Sequence, residues 1–250
     1  MHWIDEGLIL SAKKFGENSV ILHALTKEHG RHAGLVRGGS GKRLRGILQP
    51  GNHVGLRWQS RLSDHLGNYS VEAKSSMGAM LFDQPLNLVA ASSALSLLEK
   101  VLPEREIHGG LFDATLLLMT NLTKDIEHWG PLLVRWELGL LTELGYGLDL
   151  SECAATGLKE DLIYVSPKSG CAVSRGAGEP YRARLLSLPE FLLPGTGEGN
   201  DNRQLSHIAA GLQLTGYFIH KNLLPHYGKE SLPARERFVS ALERRAKSEA

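Results

Sequence analysis

The chain has 250 residues, 42% hydrophobic and 22% charged, with 28 Lys and Arg against 27 Asp and Glu, and only 2 Cys. That length and composition support a buried core in one large domain or two small ones and exclude wholesale disorder. Two cysteines exclude a disulfide framework and a four-cysteine zinc site, and no apolar stretch approaches the roughly 20 residues that span a bilayer.

The first 80 residues read as strands. Residues 4–14 and 19–25 are joined by Phe15-Gly-Glu-Asn18, a turn composition; residues 26–30 form a second turn, and residues 31–37 a third strand. Residues 51–58 and 66–73 supply two more. Five short strands with turn signals at regular spacing predict a small antiparallel barrel or sandwich. The segment Gly38-Gly-Ser-Gly-Lys-Arg-Leu-Arg-Gly46 between strands three and four is flexible at its start and basic at its end, as expected of a mobile loop.

Past residue 80 the period changes to that of helices. Residues 86–102 form one, ended by Pro103, and residues 110–122 a second. A third covers 131–144, with Pro131 suited to a first helical turn, Gly145 to a C-terminal cap, and Leu132, Leu133, Leu140, Leu141 and Leu144 as core. Residues 146–181 are loop-like, with a hairpin formed by 162–165 and 169–173. A short helix and a polar, Gly-rich connector over 193–200 follow, then a helix over 205–224 interrupted at Pro225, and an amphipathic helix over 234–247. The fold class is therefore α+β: an all-β module over 1–80 and a mostly helical one over 81–250, with the boundary near 77–85.

The net charge of +1 conceals a split along this boundary. Residues 1–80 hold eleven basic and six acidic side chains, a net of +5, and the remainder has a net of −4. Such asymmetry points to a polyanion-binding module joined to something else. The start lacks a basic segment ahead of an apolar run, so no signal peptide is predicted, and a cytoplasmic protein is expected.

Little in the chain suggests catalysis. His29 and His32 lack further ligands at metal-binding spacing. Gly38-Gly-Ser-Gly-Lys-Arg43 is not a phosphate-binding loop, because Arg43 stands where a Ser or Thr must hold magnesium. No nucleophile elbow or dinucleotide fingerprint occurs. The basic segment is more informative. Arg37, Lys42, Arg43 and Arg45 lie within nine positions, and Arg57 and Arg61 follow on the next strand and turn. Phosphates attract such a strip through counterion release, whatever the base sequence. Small five-stranded barrels bind single strands with a positive groove and stacking aromatics. Trp58 and Tyr69 are the aromatics on these strands, readable equally as core.

Several segments, in order and spacing, resemble the RecO family of DNA-repair recombination mediators. They are Glu6-Gly-Leu-Ile-Leu, Gly16-Glu-Asn-Ser-Val-Ile-Leu, Gly30-Arg-His-Ala-Gly-Leu-Val-Arg-Gly-Gly, Leu48-Gln-Pro-Gly, Arg135-Trp-Glu-Leu-Gly-Leu-Leu-Thr-Glu-Leu-Gly-Tyr, Cys153-Ala-Ala-Thr-Gly and Ser166-Pro-Lys-Ser-Gly. The resemblance implies an N-terminal OB-fold (a five-stranded Greek-key barrel), a helical C-terminal domain, and binding of single- and double-stranded DNA without bond cleavage. It further implies strand annealing, a nucleoid-associated location, no membrane, and partnership with RecR and with the single-stranded DNA-binding protein SSB, whose coat a recombinase replaces. Arg135, a cation on a leucine-rich helix, suits the acidic, aromatic tail of SSB. Some family members hold zinc with two Cys-x-x-Cys pairs. Here the first reads Cys153-Ala-Ala-Thr156, the second falls at Ser174-Arg-Gly-Ala177, and Cys171 lies off the pattern, so no metal is expected in this degenerate zinc-finger-like loop at about 146–181. A non-catalytic protein-interaction adaptor or an RNA-binding OB protein is the alternative reading.

Overall fold

In the computed structural model, which describes residues 1–62, 64–81, 83–193, 205–228 and 231–248, strand β1 (His2–Phe15) serves two partners. Its first half pairs antiparallel with β4 (His53–Gln59), and its second half with β2 (Ser19–Thr26). A bulge between Ile9 and Ser11 marks the region where the partner changes, and bulges bend strands in this way. β2 also pairs with β3 (Gly30–Val36), and β4 with β5 (Asn68–Ser75). One parallel bridge, Leu35–Asn68, closes the order β1-β2-β3-β5-β4 into a barrel. Of the barrel or sandwich that the strand spacing predicts, this is the barrel, and it agrees with the OB-fold that the resemblance implies.

Alternation along the strands fills the interior. Ile9, Leu22, Ala24, Val54, Leu56, Trp58 and Tyr69 form its core. On β3 every second residue points inward, and one of them must be glycine: a Cβ at Gly34 would lie 2.3 Å from the Tyr69 ring.

The basic segment is not a mobile strip. Lys42–Ile47 is a helix, α1, six residues long. A helix that short is not stable through propensity alone. Leu44, Ile47 and Leu48 pack it against the barrel core, and Asn52 Nδ2 donates to the carbonyls of Gly46 and Ile47 at 3.1 and 3.0 Å. Apolar residues at positions 44, 47 and 48 have helical spacing; the flanking glycines obscure it.

The chain forms two compact units, Met1–Thr123 with Leu232–Phe238, and Lys124–Ser231 with Val239–Ala250. The first holds the barrel together with α2 (Met77–Met80), α3 (Pro85–Val101) and α4 (Gly109–Asn121). Ser11 and Lys13 of β1 both donate to Glu99 of α3 at 2.7 Å. Burial pushes the Glu99 carboxyl up, but these two hydrogen bonds outweigh it and hold the group below the usual range.

In the second unit, α5 spans Ile126–Glu143 and so begins earlier than predicted, leaving Pro131 inside the helix. The buried Ile126 and Trp129 extend the apolar face upstream, and the Asp125 carbonyl accepts from the amides of His128 and Trp129. Gly145, at φ +85°, ends the helix as expected: its amide donates to Thr142, and that of Tyr146 to Leu141. Leu133, Leu140 and Leu141 are buried, whereas Leu132 and Leu144 are half-buried. α7 (Leu205–Phe218) packs closely on α5, with Gly130 against Ile208 and Gly211 against Val134. The predicted hairpin is β6 (Leu162–Val165) and β7 (Ala172–Ser174). After α6 (Arg175–Gly178), β8 (Leu186–Ser187) adds a short third strand on β6. Beyond α7 the backbone widens to a π-helical turn, Ile219–Leu223, and tightens to a 3₁₀ turn, Leu224–Tyr227, around Pro225. The last helix, α8, is Pro233–Ser248. The polar connector lies outside the described residues from 194 onward. Among the described residues no helix is long and apolar enough to cross a membrane.

Candidate nucleic-acid interface

The end of β3, the start of α1 and the facing strands β4 and β5 enclose a groove of about 780 Å3. Arg37, Lys42 and Arg43 line it, opposite Gln59, Asn68 and Ser70. A second hollow of about 540 Å3 adjoins it, lined by Arg37, Arg61, His65 and Leu66 among others. Arg37 and Asn68 belong to both, and there Arg37 Nε donates to Asn68 Oδ1 at 3.2 Å. The two hollows thus form one channel with cations along it, and no carboxylate occurs among its described lining residues.

Four of the six predicted cations, Arg37, Lys42, Arg43 and Arg61, therefore meet along one surface. Arg45, farther along α1, and Arg57, on β4, are exposed but line neither hollow. Arg57 pairs in register with Ser70, a lining residue, so it stands at the rim. Sequence reasoning missed Gln59, Asn68, Ser70 and His65. The outward residues beside inward Trp58 and Tyr69 were the available signal for Gln59, Asn68 and Ser70.

Trp58 and Tyr69 are core residues, with 3% and 4% exposure. Trp58 Nε1 donates to the Leu66 carbonyl at 3.0 Å, and the Tyr69 hydroxyl lies 2.8 Å from His32 Nδ1. Trp3 is the partly exposed member of this cluster. It stacks on His29 at 4.1 Å and on Trp58 at 5.6 Å, so its faces are already engaged. Burial, then the charges of Arg105 and His29, pushes the His32 imidazole down to about 4, and burial pushes the Tyr69 phenol up.

In the other unit Arg135 is exposed on α5, its guanidinium donating to the Phe191 carbonyl at 2.6 Å. Of the four positions at which the resemblance implies zinc ligands, 153, 156 and 174 lie together, and only Cys153 has a ligand side chain. Cys153 is buried, and its sulfur accepts the Ser174 amide at 3.3 Å. Burial pushes this thiol up, but hydrogen bonds from Ser174, Thr156 and the Ala155 backbone prevail and bring it to about 6. The residues do not fit a zinc ion, since Thr156, Ser174 and Ala177 offer no thiolate, imidazole or carboxylate. Among the described residues no three His, Cys, Asp or Glu side chains cluster as a metal site. Backbone pairing holds the loop instead, with the Ala154 amide on the Ala172 carbonyl at 2.9 Å and that of Ala172 on Asp149 at 2.8 Å.

The closed five-stranded barrel, with a cation-lined channel on it, defines an OB-fold protein. Residues 1–77 match the family model for the recombination protein O N terminal, and residues 83–231 that for its C terminal. The proteins described as DNA repair protein RecO from Rhodospirillum centenum and Rhodospirillum rubrum are each 46% identical to this chain; the alignments cover 96% and 98% of it, and 94% and 97% of those proteins. The relative of the same description from Mesorhizobium japonicum is 44% identical over 98% of this chain and 94% of its own length. The chain belongs to the RecO family of DNA repair proteins.

Proposed function

We propose that this protein is a non-catalytic, DNA-binding recombination mediator. It binds single- and double-stranded DNA along the barrel channel, promotes annealing of complementary strands and helps load a recombinase onto SSB-coated single strands, with RecR and SSB as partners in the nucleoid. The division of labour falls near residue 80, with DNA on the barrel and protein partners on the helical part. The supporting observation is the continuous channel lined by Arg37, Lys42, Arg43 and Arg61. Cations held along one path neutralise successive phosphates and release counterions, and annealing requires this charge neutralisation of two like-charged strands. Arg135 is the proposed contact for the acidic SSB tail; its exposure and its anchorage on Phe191 favour that role.

The test is fluorescence anisotropy of labelled single-stranded DNA titrated across salt, with and without SSB. A salt slope near −3 is expected for about four phosphate contacts at roughly −0.7 per contact on a single strand. A salt-independent affinity, or none, refutes the reading. An Arg135→Ala protein that binds the SSB tail peptide as tightly as the wild type removes that contact.

A further inference from the structure

The second hollow is smaller and proportionally more apolar than the first. Its floor and wall carry Leu35, His65 and Leu66, and cations stand on its border at Arg37 and Arg61. Leu66 is 39% exposed, an apolar side chain left open beside two arginines.

The loop that builds this wall is held in place. Its three consecutive carbonyls are each tied to a different element: that of His65 accepts from Arg105 at 3.2 Å, that of Leu66 from Trp58 Nε1 at 3.0 Å, and that of Gly67 from the Leu35 amide at 3.0 Å. Gly67 sits at φ +64°, and a Cβ there would lie 2.3 Å from Trp58, so only glycine fits this close approach of the turn to Trp58. Arg105 itself adopts φ +64°, rare for a residue with a side chain, while its amide donates to Arg31 at 2.8 Å. A half-apolar wall held by three such ties is preorganised, and preorganisation lowers the cost of binding.

We propose that this hollow is a nucleobase subsite: an unstacked base rests against His65 and Leu66 while Arg37 and Arg61 hold the phosphates on either side of it. The inference rests on the channel being the DNA path. It names the form of DNA that the second hollow takes, because a paired base inside a duplex cannot leave its stack without an energetic cost of a few kcal/mol. The first hollow mixes Arg37, Lys42 and Arg43 with Val36, Leu44 and Val71, and in this proposal its cations take backbone phosphates of single strands and duplexes alike.

The experiment compares a 12-nucleotide single strand, the same strand with abasic sites, and a 12-base-pair duplex, on the full chain. For His65→Ala with Leu66→Ala, single-strand affinity falls about tenfold, within the range for one stacked base. Duplex affinity stays within twofold, the salt slope is unchanged, and the abasic strand binds wild type and variant equally. Equal losses on strand and duplex, or no loss on either, overturn the subsite. A Lys42→Ala, Arg43→Ala protein separates the two ideas. If it loses affinity for both DNA forms while the His65 and Leu66 variant loses neither, only the subsite falls. If it binds both as the wild type does, the channel reading falls as well.

Discussion

Arg37 and Asn68 meet across the single bridge that closes the barrel. The guanidinium Nε of Arg37, one residue past β3 and two past Leu35, donates to the side-chain carbonyl of Asn68, the residue at the head of β5 that pairs with Leu35. This bond aims the remaining N–H groups of a rigid, planar donor at the junction of the two hollows. Asn68→Ala, which leaves the charge but removes its orientation, is expected to weaken single-stranded DNA binding two- to threefold without altering the salt slope. Arg37→Ala lowers affinity more and reduces the slope by about one contact. Anisotropy titrations at four salt concentrations distinguish them, and identical behaviour of the two variants contradicts the assigned roles.

The cations on α1 are expected to divide by position. Lys42 and Arg43 line the channel and Arg45 does not. Replacing Lys42 and Arg43 together by Ala flattens the salt dependence by roughly 1.4 on a single strand, whereas Arg45→Ala changes it by less than half a contact. A larger effect from Arg45 places the phosphate path on the other side of the helix.

Arg105 is expected to act through the loop it anchors. In Arg105→Gly the strained backbone is relieved while the bond to the His65 carbonyl is lost. Amide hydrogen exchange over residues 64–67 accelerates, and single-strand affinity falls several-fold at an unchanged salt slope. Unaltered exchange in that loop shows that the remaining two ties suffice.

His32 makes the barrel acid-sensitive. Its imidazole titrates near 4 in the folded protein and near 6.5 when unfolded, so the unfolded chain binds the extra proton between these values. Stability from this group is present above about pH 6.5 and is lost as pH falls towards 4, by about 3 kcal/mol at most. His32→Asn retains a polar partner for Tyr69 and is expected to flatten the fall in denaturant midpoint between pH 7 and pH 4.5. An undiminished fall in the variant assigns the acid sensitivity to other groups.

In the helical unit the buried carboxyl of Glu137, 1% exposed, accepts the Thr215 hydroxyl of α7. Thr215→Val preserves the shape and removes the donor, so urea unfolding is expected to show a loss of about 1–3 kcal/mol.

The sequence resolved the parts of this protein that depend on local pattern. Turn signals at regular spacing identified all five barrel strands, Gly145 marked a helix end, and the cation cluster at 37–45 pointed to the channel. Its errors arose where tertiary contact overrides local preference. Gly38-Gly-Ser-Gly hid a helix that exists because Leu44, Ile47 and Leu48 have a barrel to pack on. Pro131 appeared to begin a helix that Ile126 and Trp129 extend upstream by burying themselves. Nothing in the local pattern marked Glu137 as buried, and its partner Thr215 arrives only with α7.

By itself, then, the sequence determined an α+β chain with a basic barrel ahead of an acidic helical part. Only the tertiary structure decided that Trp58 and Tyr69 point inward while Gln59, Asn68 and Ser70 point into the channel. Neighbouring residues on a strand face opposite sides, and the side that becomes the interior is settled only when the barrel closes in register. The same closure turned a +5 charge balance into a surface, by bringing Arg37 and Arg61, 24 positions apart in the chain, to the two sides of one hollow.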